Sequence, residues 1–251
     1  MTDSLADKQF SPRAAAYVQS AVHASGEDLE ELKAFVSGRG FGAALDLGCG
    51  GGHVGFTIAP LVGSVVAYDL SEAMLKAVAE QAAARGFANL TTRQGKAETL
   101  PFEDASFDFV ATRYSAHHWL DVPAALREAH RVLKPGAPLM VMDAVAPDKV
   151  LCDTFVQTIE MLRDPSHVRD YSVAEWLGML TAAGFSPAEP KRRHIHLEFT
   201  SWIERMRTPK LQADAILALM AQASEAVRNH FALEADGSFR LDTASLVAIK
   251  R

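Results

Sequence analysis

The sequence predicts an α/β domain built on a parallel sheet with helices on both faces. Three observations carry this. Apolar runs at Ala43–Leu47, Ser64–Asp69, Phe107–Thr112 and Pro138–Asp143 alternate with stretches of helical periodicity, the pattern of strands covered on both sides. Glycines cluster directly after the first run, at Gly48, Gly50, Gly51 and Gly52. An acid, Asp69, closes the second run.

Residues 1 to about 38 read as helical and precede the first strand. Ser11-Pro12 puts proline where a first helical turn tolerates it, and Ala15, Val18, Ala21 and Val22 share one face. Gly26 breaks that helix, and Leu29, Leu32, Phe35 and Val36 form a second apolar stripe. Tyr17 and His23 stand out as polar groups here, either lid residues or hydrogen-bonding residues at the core edge. After the first strand, Phe56-Thr57-Ile58-Ala59 opens a helix. The second strand ends at Asp69, and Ser71 caps a helix with Met74, Leu75, Val78 and Ala82 on one face, closed by Gly86. Leu90–Gln94 is the third strand and Phe107–Thr112 the fourth. A helix from about Pro123 carries Leu126, Ala129, Val132 and Leu133 and stops at Pro135-Gly136, and Pro138–Asp143 is the fifth strand.

Past residue 145, Pro147–Tyr171 reads as a helical insertion with a polar turn, and Ser172–Ala183 as a helix ended by Gly184. His194–Phe199 alternates like a strand, Ser201–Met206 and Lys210–Phe231 are helical, and Ser245–Ile249 is a last strand. The expected organisation is an N-terminal helical lid over 1–38 and one domain over 39–251. That domain carries a cap around 147–171 and further helices around 201–231.

The 251 residues suffice for a sizeable core. A net charge of −6 argues against a sequence-independent nucleic-acid surface. The short basic run Lys191-Arg192-Arg193 reads as a solvated strand end. Two cysteines, Cys49 and Cys152, form no disulfide framework or paired-cysteine metal site and fit a reducing compartment. The acidic N-terminus has no apolar signal region, and no run approaches membrane-spanning length. The expectation is a cytoplasmic protein without a membrane span, with oligomerisation left open.

The glycine cluster can be parsed in two ways. Gly50-x-Gly52-x-x-Gly55 satisfies the dinucleotide pattern, whereas Asp46-x-Gly48-x-Gly50-x-Gly52 places an acid before alternating glycines. Asp46 discriminates between them. A pyrophosphate over the turn would be repelled by it, at a cost of about 4 kcal/mol for like charges 4 Å apart at an effective dielectric of 20. A zwitterionic cofactor with an ammonium and a sulfonium has the opposite need, so S-adenosylmethionine fits and NAD does not. Asp69, about 20 residues on, suits ribose hydroxyls in either case.

Four stretches, Asp46–Gly52, Val65–Ser71, Gly95–Phe102 and Arg131–Gly136, resemble the class I S-adenosylmethionine-dependent methyltransferases. More narrowly they resemble the small-molecule branch that includes the quinone-biosynthesis C-methyltransferases and bacterial relatives. The likeness spans residues 40 to about 145. It implies a Rossmann-like three-layer sandwich with a seven-stranded, mostly parallel sheet and a reversed last strand. It also implies roles. Gly48 and Gly50 would cradle the methionine part, Asp69 would bind the ribose, and Leu70 would pack on the adenine. The Ala97 backbone would meet the adenine edge, and the Arg113 carbonyl would face the ammonium. Asp46, Cys49, Met74, Lys96, Glu98, Tyr17 and His23 complete the expected donor-contacting set. Lys96 departs from the family, which places Asp there to accept from the adenine amino group; Glu98 or the backbone would take over, or Lys96 would swing to solvent.

Methyl transfer needs alignment and exclusion of water, and an acceptor of high pKa also needs a base. His117 and His118, after the fourth strand, are the catalytic candidates; packing with Trp119 is the alternative. His167 and Arg169 would face an anionic acceptor or belong to a surface turn held by Asp164 and Asp170. Asp143 would orient a histidine, bind substrate or cap a turn. His194-x-His196 has no third ligand at metal-binding spacing, so no metal is expected. Phe155, Ile159, Met161, Trp176, Trp202 and Met206 point to an apolar or aromatic acceptor unless they are core. The expected activity is methyl transfer from S-adenosylmethionine to a small molecule, leaving S-adenosylhomocysteine. The competing readings are an NAD-dependent oxidoreductase and a non-catalytic protein that binds S-adenosylmethionine.

Overall fold

The computed structural model describes residues 26–251 together with Leu5 and Gln9. The helix expected around Ala15–Val22, with Tyr17 and His23, lies outside the described residues. The first described helix, α1 (Glu27–Val36), has Glu27, Asp28 and Glu30 in its first turn, where acids complement the helix dipole. It buries Leu29, Leu32 and Val36.

The chain then alternates as the apolar runs require. It forms β1 (Ala43–Leu47), α2 (His53–Ile58), β2 (Ser64–Asp69), α3 (Glu72–Ala84), β3 (Leu90–Gln94) and β4 (Phe109–Arg113). A single 3-10 turn, Ala116–His118, precedes α4 (Val122–Val132) and β5 (Pro138–Ala144). Ser71 and Asp121 cap α3 and α4 by accepting from the Met74 and Ala124 amides, each worth about 1 kcal/mol. The strand order is β3-β2-β1-β4-β5, all parallel. The order reverses between β1 and β4, and ligands sit beyond the strand ends at such a point.

Next come α5 (Val150–Arg163), α6 (Val173–Ala182), β6 (Phe185–Pro187), β7 (Lys191–Leu197), α7 (Phe199–Met206), α8 (Lys210–Ala221), α9 (Glu225–Phe231) and β8 (Phe239–Lys250). The last strand is reversed, antiparallel to β5. Both β6 and β7 pair with its other edge. The sheet therefore has eight strands in seven positions, because one edge position is split between β6 and β7 around Pro190, which has no N–H to donate.

Several expected boundaries move. The fourth strand begins at Phe109, because Asp108 turns its carboxylate onto the Gly42 and Ala43 amides. The last strand runs twelve residues, not five, because both of its edges are paired. Ser224 starts a new helix at α9, which splits the long helix expected over 210–231. Lys191 and Arg192 are exposed at the start of β7, as expected of a solvated strand end, whereas Arg193 is half-buried in ion pairs with Glu27 and Glu31.

The core has three parts. One face of the sheet packs on α4 and α6 around Leu126, Val132, Trp176 and Phe185. The other packs on α1, α2 and α3 around Leu32, Phe56, Val78 and Phe109. A separate cluster joins α5, α7, α8 and α9 to β7 and β8 around Trp202, Phe231 and Phe239, with the Trp202 and Phe239 rings edge to face at 4.9 Å.

Candidate active site

The turn between β1 and α2 is left-handed at Gly48 (φ +70°), Gly50 (+47°) and Gly52 (+78°), conformations open to glycine at little cost. A Cβ on Gly48 would fall 1.9 Å from Ser115 Oγ, whereas one on Gly50 would meet nothing within 4 Å. The Gly48 and Cys49 amides donate to the Tyr68 carbonyl at 2.8 and 2.9 Å, which ties the turn to β2.

Two carboxylates flank this turn. Asp46 is 1% exposed, and its Oδ2 accepts from the Gly55 amide at 2.8 Å. Burial pushes its carboxyl up to about 7, opposed by that hydrogen bond. A Cβ on Gly55 would sit 3.2 Å from Asp46 Oδ2 and from Leu90 Cδ1, so Gly55 is a close-packing position. Asp69, at the end of β2, accepts from the Gly50 amide at 2.8 Å and from the Ser71 amide at 2.9 Å. Those two bonds fix its carboxylate beside the turn.

These groups open onto a cavity of about 490 Å³. Asp46, Gly48, Cys49, Gly50, Asp69, Leu70, Met74, Lys96, Ala97, Glu98 and Arg113 all line it, together with His118. Every expected donor-contacting residue that is described is therefore brought together. Lys96 is exposed, and its carbonyl accepts from the Tyr68 hydroxyl at 3.1 Å. Glu98 is spent on the wall: its Oε1 accepts from the Leu120 amide at 3.1 Å. The Arg113 side chain pairs with Asp28 on α1, in contact through both Nε and Nη2.

A second cavity of about 330 Å³ adjoins the first, and Arg113, Tyr114, His118 and His167 line both. His117 lines only the second. Its Nδ1 lies 2.6 Å from Asp143 Oδ1. Asp143 also accepts from the Ala144 amide on Oδ1 and from the Ala116 amide on Oδ2. It thus both orients a histidine and fastens the 3-10 turn. Burial alone would depress His117, but Asp143 more than offsets this and raises it to about 9. His118, with Nδ1 at 3.2 Å from the Ser166 carbonyl, is pushed down to about 3 by burial and by His117. Burial also takes His167 down to about 3; its Nε2 lies 3.0 Å from Gln157 Oε1. One cationic imidazole therefore stands beside two neutral ones.

The expected surface turn after α5 is instead an inner wall. Asp164, Ser166, His167 and Asp170 are buried, Ser166 Oγ donates to Asp164 at 2.6 Å, and the Val168 amide donates to the His117 carbonyl at 2.8 Å. Arg169 turns away to Asp153 and Glu175. Of the six apolar cap candidates, Trp202 and Met206 line the second cavity. Ile159 and Trp176 belong to the core, Phe155 packs against it, and Met161 is exposed. His194 and His196 pair with Asp242 and Glu234.

Lining residues given no role of their own in the sequence reading include Tyr114, Ser115, His53, Pro165, Ser166 and Val168. Only the first two carried a signal, by following β4 directly. Among the described residues, no helix is long and apolar enough to cross a membrane.

Residues 45–141 match the family described as a methyltransferase domain. Uncharacterized protein YafE of Escherichia coli is 50% identical over 199 residues, covering 79% of this chain and 96% of that protein. Uncharacterized methyltransferase YcgJ of Bacillus subtilis is 35% identical over 247 residues, covering 96% and 98%. The crystal structure of the Bacillus YcgJ protein superposes with a TM-score of 0.86 at 34% identity, over 90% of this chain and 98% of that one. A 2-phytyl-1,4-naphtoquinone methyltransferase of Synechococcus elongatus is 38% identical over 117 residues, only 45% of this chain and 50% of that protein. With the glycine-turn cavity at the strand switch point and likeness running through nearly the whole length of two relatives, the chain belongs to the methyltransferase family and is itself a methyltransferase.

Proposed function

We propose that this enzyme draws its methyl group from S-adenosylmethionine in the larger cavity and passes it to a small-molecule acceptor in the smaller one. The observation that carries this is the shared wall of Arg113, Tyr114, His118 and His167. Occupants of the two cavities meet across those residues, and in-line displacement requires such abutment with water kept out. Bound there, the donor supplies a methyl group activated by a sulfonium, which departs as a neutral thioether.

The residues fit that donor. Asp46 and the Arg113 carbonyl would face the ammonium, with Gly48 and Gly50 along the methionine part. Asp69 would take the ribose hydroxyls. Leu70 and Met74 would cover the adenine, and the Ala97 backbone would meet its edge. Two carboxylates flanking the turn suit a cationic ligand and oppose a pyrophosphate. With Glu98 engaged by the wall and Lys96 exposed, the adenine edge falls to backbone groups. The apolar side of the second cavity, with Ile195, Trp202, Met206 and Leu241, suits an aromatic acceptor. His117 would donate a hydrogen bond from Nε2 to the acceptor as an imidazolium that Asp143 steadies. Leu5 lines the donor cavity, and the Gln9 side chain donates to the Met206 carbonyl at 3.4 Å. Because α1 itself packs in the core, both support a lid role only for the part of the expected 1–38 segment that precedes it.

Calorimetry tests the reading. S-adenosylmethionine and S-adenosylhomocysteine are expected to bind the pure protein and NADH to fail. Absence of binding by both sulfur ligands overturns it. Turnover with an acceptor panel then separates an enzyme from a protein that only binds the donor.

A further inference from the structure

His117 presents one ring nitrogen to the protein and one to the second cavity. Nδ1 is committed to Asp143, whereas Nε2 has no hydrogen-bond partner among the described residues. The carboxylates around the cavity are otherwise engaged. Asp28 is held by Arg113, Glu160 by Arg163 and Glu27 by Arg193, and Asp164 accepts from Ser166. Asp170 is the exception: it is 2% exposed, its Oδ2 has no hydrogen-bond partner among the described residues, and burial raises its carboxyl to about 7. An ammonium entering this space would find most lining carboxylates already paired and would stand beside His117. A carboxylate, enolate or phenolate would receive a charge-assisted hydrogen bond.

We propose that the second cavity takes its acceptor as an aromatic organic anion anchored on His117 Nε2, and that Asp143 positions His117 for this; the assignment as acceptor rests on the function proposed above. The groups facing His117 support it from each side. Asp143 on β5, Glu160 on α5 and Asp170 in the following loop favour the imidazolium, while His118 and His167 remain neutral. The ring body of such an anion lies against Trp202, Met206 and Ile195. An amine acceptor is disfavoured by the same arrangement, since imidazolium and ammonium would share one small cavity.

The test titrates benzoate, benzyl alcohol and benzylamine into the protein at pH 7, with and without S-adenosylhomocysteine. Benzoate is expected to bind at least about tenfold more tightly than the other two. His117→Gln is expected to remove that advantage, because glutamine keeps a donor but no charge, while S-adenosylhomocysteine affinity stays within about twofold because His117 lines only the second cavity. Asp143→Asn, checked by thermal melting to be folded, is expected to weaken benzoate in the same direction. Equal binding of the three probes, no benzoate binding, or a His117→Gln protein that holds benzoate like the wild type overturns the proposal. Benzoate binding without S-adenosylhomocysteine binding overturns the donor reading and leaves the anion site standing.

Discussion

His117 and Asp143, twenty-six positions apart, meet at 2.6 Å where β4 and β5 end side by side. The carboxylate takes three donors in all, so the imidazole is the only one of them that titrates. Because this pair holds His117 at about 9, above the usual 6.5, its stabilisation is fully present below about pH 6.5 and is lost as pH rises through 9. The shift corresponds to about 3 kcal/mol for this mostly buried group. Urea unfolding from pH 7 to 9.5 is therefore expected to show wild-type stability falling relative to His117→Gln. Parallel curves for the two proteins would refute the pairing. Turnover that depends on the imidazolium is expected to fall above about pH 9, with the break moving to lower pH in Asp143→Asn.

Gly95 has no room for a side chain. A Cβ there would lie 1.9 Å from Tyr68 Oη and 2.6 Å from its Cζ. Tyr68 cannot yield cheaply, since its hydroxyl donates to the Lys96 and Thr99 carbonyls at 3.1 and 3.3 Å and its ring packs on Phe102. Gly95→Ala is expected to destabilise the fold by about 2–3 kcal/mol and to weaken S-adenosylhomocysteine by disordering the 95–99 wall. Tyr68→Ala in the Gly95→Ala background relieves the clash, so the two changes should be strongly non-additive in chemical denaturation. Additive losses would place the strain elsewhere.

Much of this was legible in the sequence, for physical reasons that differ between elements. The burial of β1 and β5 on both faces leaves runs that are apolar but for one acid each, Ala44–Leu47 with Asp46 and Pro138–Ala144 with Asp143, and these announce themselves. In contrast, β7 alternates only from His194 and begins Lys-Arg-Arg with side chains half-exposed or exposed, so its start is hidden, and β6 has three residues, too few to carry a period. The acids and glycines of the donor cavity follow strand ends and could be named in advance. The second cavity could not. Its inner wall, Asp164–Asp170, has the composition of a surface turn and is buried because its polar groups bond one another and the backbone of His117. The sequence supplied both His117 and Asp143 as candidates. Their pairing depends on the β4–β5 register, Arg113 opposite Met142, which no local pattern encodes.

The buried pair of Arg113 and Asp28 fastens α1 to the end of β4, with side chains 7% and 13% exposed. Arg113 also lies over the Tyr114 ring at 4.8 Å. Asp28→Ala removes one carboxylate from a buried guanidinium and is expected to destabilise the protein by at least about 1 kcal/mol. Replacing both partners, Arg113→Met with Asp28→Leu, is expected to recover most of that loss in thermal melts, because the desolvation cost goes with the charges. A single Asp28→Ala protein as stable as the wild type would show that α1 is held by its apolar face alone.

Asp46 gives the donor site a proton signature. Burial holds its carboxyl near 7, so at pH 6.5 a large part of the population is protonated. A ligand ammonium brought beside it lowers that value, because an opposite charge favours the ionised form. Binding must then release protons, and by linkage affinity must rise with pH until Asp46 is ionised in the free protein as well. The rise flattens above about pH 8, where little of the free protein still holds that proton. Calorimetry of S-adenosylhomocysteine at pH 6.5 in buffers of different ionisation enthalpy should therefore give a buffer-dependent heat corresponding to release of a fraction of a proton. Asp46→Asn should abolish the dependence and lower affinity by roughly tenfold at pH 7.5, the loss of one charge-assisted contact. Buffer-independent heats in the wild type would mean that the ligand's cation sits elsewhere, and the role of the acid before the glycines would reduce to its hydrogen bond with Gly55.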